Sequence, residues 1–142
     1  MKKYLLDTNV LIDYLARREP FGADAAELMQ AGATGEARFY VASLSFANIE
    51  YIMRRQTSAT QARQLLLRLE QLVEILPVDA SVIRQALASN FGDFEDGIQH
   101  FVALAHPPIT AIITRDPKGF RDSALPVFSV AQALTELDAP AS

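Results

Sequence analysis

The chain contains no cysteine, and that absence excludes disulfides, thiolate zinc sites, iron–sulfur clusters and cysteine nucleophiles together. It also lacks any apolar run approaching the ~18 residues needed to span a bilayer. The opening MKKYLLDTNVLIDYLARREP begins like a signal peptide. Asp7 and Asp13 interrupt its apolar stretch, however, and no small-residue cleavage site follows. We expect this segment to be mature structure, and with the missing cysteines it fits a cytoplasmic address. Positive charge is scarce as well, since 13 Lys and Arg face 17 Asp and Glu for a formal net charge of −4. Binding by bulk neutralisation of phosphates is thereby disfavoured. Any nucleic-acid chemistry has to be local, through a cation that reverses the charge of one acidic site.

Several catalytic signatures are missing too. There is no G-x-S-x-G elbow, no G-x-x-x-x-G-K-[ST] phosphate loop, no G-x-G-x-x-G and no H-E-x-x-H. The two histidines, His100 and His106, are six positions apart near the end of one predicted helix. That spacing does not put them on one face, so ordinary surface or core roles are expected.

What remains is a 142-residue chain that is 50% apolar and 21% charged, the composition of an ordered globular protein. That length suits one domain over residues 1–142, able to bury roughly 68–70% of its unfolded surface without staples. Hydrophobic periodicity predicts short strands at Tyr4 to Leu6, Phe39 to Ala42, Val73 to Leu76, Ala111 to Thr114 and Val127-Phe128. Helices are expected after Asn9, at 22 to 31, after Ser43 or Ser45 as N-cap, from Gln61 to Leu72, at 80 to 89, at 94 to 105 with Asp93 as cap, and from Val130 to Leu137. An Ala/Pro/Ser tail closes the chain. Strands alternating with helices imply an α/β fold in three layers, with a central parallel sheet of four to five short strands flanked by helices.

Ligands of such sheets sit beyond the carboxyl ends of the strands. Asp7 directly follows the first predicted strand, and Asp116 follows Ile112-Ile113-Thr114 after only Arg115. Two carboxylates at one rim suit a hard cation such as Mg²⁺, which takes oxygen ligands. Two helices supply possible walls. Glu50 lies among Phe46, Ile49, Ile52 and Met53, where a carboxylate needs partners or a metal. Asp96 lies in the first turn of its helix, where the dipole favours an anion. Each residue also has a plain structural reading as turn opener, helix cap or solvated edge. Their shared placement in a doubly wound sheet is what points to a site.

These stretches match a family. DTNVLID (7–13) resembles the opening of PIN domains, FEDGIQHFVAL (94–104) the helix bearing their third acidic residue, ITRDPKGF (113–120) their fourth-strand motif, and PVFSVAQAL (126–134) their closing strand and helix. PIN domains, including VapC-like toxins, are ribonucleases whose acidic residues bind Mg²⁺ or Mn²⁺. The resemblance therefore implies Asp7, Glu50, Asp96 and Asp116 as catalytic and metal-binding residues, an RNA substrate, an antitoxin partner and a homodimer. Asp93 is a rival to Asp96. The sequence departs from the family pattern at Gly97, commonly Ala, and in the His106-Pro107-Pro108-Ile109 loop.

Asn9, Ser43 and Thr114 are candidate supports for the ligand carboxylates or a metal-bound water, with Asp93 beside them. Arg115, Lys118 and Arg121 are candidate phosphate contacts. Two alternatives stay open, a catalytically inactive PIN scaffold or RNA-binding module and a phosphotransfer domain. The second is disfavoured because Asn9 stands where a second acid would be needed.

Overall fold

The computed structural model describes residues 1–139, and the end of the Ala/Pro/Ser tail, residues 140–142, lies outside them. The chain alternates strand and helix. In order come β1 (Lys2–Leu6), α1 (Thr8–Leu15), α2 (Gly22–Ala33), β2 (Ala37–Ala42), α3 (Ser43–Gln56), α4 (Ala59–Glu70) and β3 (Glu74–Leu76). Then follow α5 (Ala80–Ala88), α6 (Phe94–Leu104), β4 (Ala111–Ile113), a 3-10 turn (Pro117–Phe120), β5 (Val127–Phe128) and α7 (Val130–Asp138). Every pairing is parallel, and the five strands run in the order β3-β2-β1-β4-β5. The expected α/β architecture is therefore present at the upper end of the expected strand number.

Side-chain alternation along each strand divides the core between two faces. Tyr4, Leu6, Phe39, Val41, Ala111 and Ile113 pack against α1, α2, α3, α4 and α7. Leu5, Tyr40, Ala42 and Ile112 turn the other way, toward α5, α6 and Phe120. This is why β1, β2 and β4 read as continuous apolar runs, as strands buried on both faces do.

Local sequence sets several helix starts. The side chains of Ser58, Asp79 and Asp93 accept hydrogen bonds from the backbone N–H groups of Gln61, Val82 and Asp96. Ser129 and Gln132 form a reciprocal capping box at α7. The expectation that Ser43 or Ser45 caps α3 is corrected. Ala42 occupies the N-cap position with no side-chain bond, and both serines lie inside the helix. Boundaries also shift, with α4 ending at Glu70 and β3 starting one residue later than Val73.

The order β3-β2-β1-β4-β5 places the switch in chain direction at β1 and β4. Leu6 aligns with Ile113 across that pair, so the segments leaving the two strands emerge side by side. A crevice outside such a switch point is the usual ligand position in open parallel sheets.

Candidate active site

Asp7 leaves β1 into the N-cap position of α1, yet its side chain makes no capping hydrogen bond. Its carboxylate turns instead into the crevice, where Oδ1 accepts from Gln99 Nε2 at 2.9 Å and Oδ2 accepts from Thr114 Oγ1 at 2.8 Å. Both donors are buried, as is Asp7 itself. Burial pushes the Asp7 carboxyl up, against the lowering effect of the hydrogen bonds from Gln99, Thr114 and the Thr8 backbone. The Asp116 backbone N–H donates to Thr114 Oγ1 at 3.1 Å. Thr114 thus ties the two strand ends together.

Asp116 stands exposed at the head of the 3-10 turn and makes no side-chain capping bond. Asp96 faces the same crevice from the first turn of α6. No hydrogen-bond donor among the described residues reaches its carboxylate, and Gly119 approaches so closely that a Cβ there would lie 2.8 Å from Asp96 Oδ2. Burial, followed by the charges of Asp7, Asp93, Glu95 and Asp116, pushes the Asp96 carboxyl up to about 7. Asp93 has a different task, since its Oδ1 accepts from Asp96 N at 2.9 Å as the α6 cap.

The structure does not bring Glu50 into this group. Both of its carboxylate oxygens take the Nε–H of Arg54 one turn along α3, at 3.1 and 2.7 Å. The α3 residue that meets α6 is Asn48, whose Nδ2 donates to Glu95 Oε1 at 2.8 Å. Thr8 Oγ1 lies 3.3 Å from the same oxygen and 2.8 Å from Ser45 Oγ, and its one proton serves one acceptor at a time. Glu95 is therefore the fourth carboxylate beside Asp96. Glu95, Gln99, Asn48, Thr8 and Ser45 were all missed by sequence reasoning.

Among the other candidates, Ser43 Oγ accepts from Val78 N at 3.2 Å and braces the β3–α5 connection rather than a ligand carboxylate. Asn9 makes no side-chain hydrogen bond among the described residues, although the Val10 N–H does donate to Asp7 O at 3.0 Å. Lys118 and Arg121 are exposed on the turn after Asp116. Arg115 pairs with Asp13 at 3.4 Å. His100 is buried, and its Nε2 accepts from Ala124 N at 3.0 Å, which leaves it no ligand role.

The donor set fits a hard divalent cation. It consists of carboxylates that repel one another, two of them, Asp96 and Asp116, accepting no hydrogen bond among the described residues, beside a glycine that leaves room. Among the described residues no three Asp, Glu or His side chains stand close enough to enclose an ion by themselves. That arrangement suits Mg²⁺, which keeps several waters and uses one or two carboxylates.

A cluster of carboxylates at the switch point of a parallel α/β sheet defines the class to which this protein belongs. A PIN domain family model matches residues 3–118, and the chain belongs to that family. No curated protein matches it by sequence. Its fold is similar to that of the DNA-bound VapBC of Salmonella typhimurium, at TM-score 0.66 and 13% identity over 92% of this chain and 99% of that one. VapBC2 of Rickettsia felis bound to a promoter DNA fragment gives TM-score 0.64 and 15% identity over 89% and 98%. Mycobacterium tuberculosis VapC20, a sarcin-ricin loop cleaving toxin, gives 0.63 and 15% over 82% and 92%. No helix among the described residues is long and apolar enough to cross a membrane.

Proposed function

We propose that the protein is a metal-dependent endoribonuclease of VapC type and the toxin half of a toxin–antitoxin pair. The observation that carries this reading is Asp96, a partly buried carboxylate without a hydrogen-bond donor, surrounded by Asp7, Asp93, Glu95 and Asp116 and raised to about 7. A group so placed is costly unless a cation completes it. Membership of the PIN family supports nuclease chemistry, and the relative named as a sarcin-ricin loop cleaving toxin supports RNA as substrate. The VapBC relatives support a small antitoxin partner.

In this reading Asp7, Asp96 and Asp116 would hold Mg²⁺ or Mn²⁺, some of them through its retained waters, since no three acids among the described residues enclose an ion directly. Bound there, the cation would supply an activated water and charge stabilisation for the phosphate. Gln99 and Thr114 fix both Asp7 oxygens, so the ligand is oriented before substrate arrives. Thr114 sets the Asp116 backbone by the same hydroxyl. Glu95, held by Asn48 and Thr8, adds negative charge at the α6 wall. Lys118 and Arg121 lie on the turn where a phosphate backbone would pass.

Purified protein is expected to cleave RNA with Mg²⁺ or Mn²⁺, to stop when the metal is chelated, and to lose cleavage on Asp7→Asn with its fold intact. Expression should slow growth, and Asp7→Asn should relieve the effect. Metal-independent cleavage would overturn the mechanism, and equal toxicity of the two forms at matched expression would favour an inactive scaffold.

A further inference from the structure

Beside the acidic crevice, the residue before Asp116 is built into a second feature. Asp13, toward the C-terminal end of α1, is only 2% exposed. Its single side-chain hydrogen bond among the described residues comes from Arg115 Nη1 at 3.4 Å. The Arg115 guanidinium also lies over the ring of Phe21, 4.5 Å from its centroid. Phe21, at the start of α2, nevertheless remains 42% exposed. The remaining guanidinium donors, on Nε and Nη2, meet no protein acceptor among the described residues.

A buried acid with one long contact is a poor source of stability, so its effect is better sought in what it does to Arg115. It anchors one end of the guanidinium while the aromatic ring holds the plane, which leaves the other donors presented at low entropic cost. Asp13 is six residues beyond Asp7, roughly 9 Å along the helix axis. The feature therefore flanks the acidic cluster without entering it. A partly exposed aromatic ring next to a pre-oriented guanidinium is a combination that suits unpaired nucleotides, since every base has a face to stack. It also suits a chain of net charge −4, because stacking needs no broad positive surface.

We propose that Phe21 and Arg115 form a subsite for an unpaired nucleotide flanking the cleaved phosphate. The free donors of Arg115 take a phosphate, the Phe21 ring stacks the base, and Asp13 is a positioning residue for Arg115. This rests on the ribonuclease reading above. It extends the candidate RNA-contact role of Arg115 to a defined base-stacking partner.

The chain has no tryptophan, so Phe21→Trp installs a single fluorescent reporter at the subsite. With Ca²⁺ replacing Mg²⁺, a short oligouridylate should quench that fluorescence, and an abasic oligomer of equal length should not. Phe21→Ala should weaken oligouridylate binding about 5- to 100-fold and abasic binding far less, since only the orientation of Arg115 is then lost. Arg115→Gln should lower the salt slope of binding by about 0.7. Asp13→Asn should raise KM without lowering kcat, and if it fails to fold, the Phe21 variants decide alone. Binding of labelled RNA with no change in tryptophan emission would overturn the subsite and leave the nuclease reading standing. Failure of wild type to bind or cleave any RNA would overturn both.

Discussion

In the metal-free protein Asp96 holds its proton to about pH 7, against an ordinary value of 3.8. Between roughly pH 4 and 7 the folded state binds this proton and the unfolded chain does not. The resulting contribution is fully present below pH 4 and is lost as pH rises through 7. Asp96→Asn keeps the shape and removes the charge. Without metal it should melt higher than wild type above pH 7, with the gap closing toward pH 4, and Mg²⁺ should raise the melting point of wild type more than that of the variant. Thermal melts across that range, with chelator and with Mg²⁺, test this, and a variant that melts lower at pH 8 would make Asp96 a structural helix residue. His100 acts in the opposite direction, since burial lowers its pKa and stability falls as pH drops below about 6.5. Comparing the two proteins at each pH cancels that contribution. Glu50 and Glu95 give a second residue-level test. Glu50→Gln should leave cleavage within about twofold of wild type, while Glu95→Gln lowers it by an order of magnitude or more, and the reverse ranking in single-turnover assays would restore Glu50 to the site.

At the scale of elements, what was legible in the sequence and what was not follow from one distinction. Asp7 and Asp116 were legible because strand ends are marked by apolar runs, and a parallel sheet aligns such ends at one rim. Asp96 was legible from its place in the first turn of a well-capped helix. The α3 wall was misread because Asn48 and Glu50 are about 160° apart around a helix, and apolar neighbours alone do not fix which of them faces the sheet end. Arg54, four residues after Glu50, was the available signal that this acid is spent on an intrahelical pair. The bonds from Asn48 to Glu95 and from Gln99 to Asp7 span 47 and 92 positions, and nothing local encodes them. Gly97 departs from the family pattern but has a packing reason, since a Cβ there would come within 3.3 Å of Phe91 Cβ and 3.6 Å of Ala86 Cβ. Gly119 is the sharper case. A Cβ there meets only the tip of Asp96, a side chain that can swing away, so Gly119→Ala should change stability by no more than about 0.5 kcal/mol. Cleavage should nevertheless fall by up to about a hundredfold, as expected when a site group moves by an ångström. Paired melting and cleavage measurements test this, and unaltered activity would remove Asp96 from the metal-binding set.

For the whole molecule, the homodimer expected from the sequence can be tested at one surface. In the α3–α4 hairpin Tyr51 is 59% and Leu67 63% exposed, and Leu72, just past α4, is 40% exposed, large apolar side chains of the kind that mark interaction surfaces when they lie together. We expect self-association through this hairpin and a shift to monomer on Leu67→Glu with helicity retained. Light scattering after size exclusion checks this, and a wild type that is monomeric at micromolar concentration would refute it. The hydrogen bond between Thr114 and Asp7 has a temporal consequence, because its partners are 107 positions apart. During synthesis at about 5–20 residues per second the segment carrying Asp7 emerges first, yet its carboxylate has no fixed direction until β4 arrives to pair with β1. A ribonuclease of the proposed kind would thus be kept inert through most of its own translation. That interval, on the order of ten seconds at these rates, is time in which a partner protein can be made.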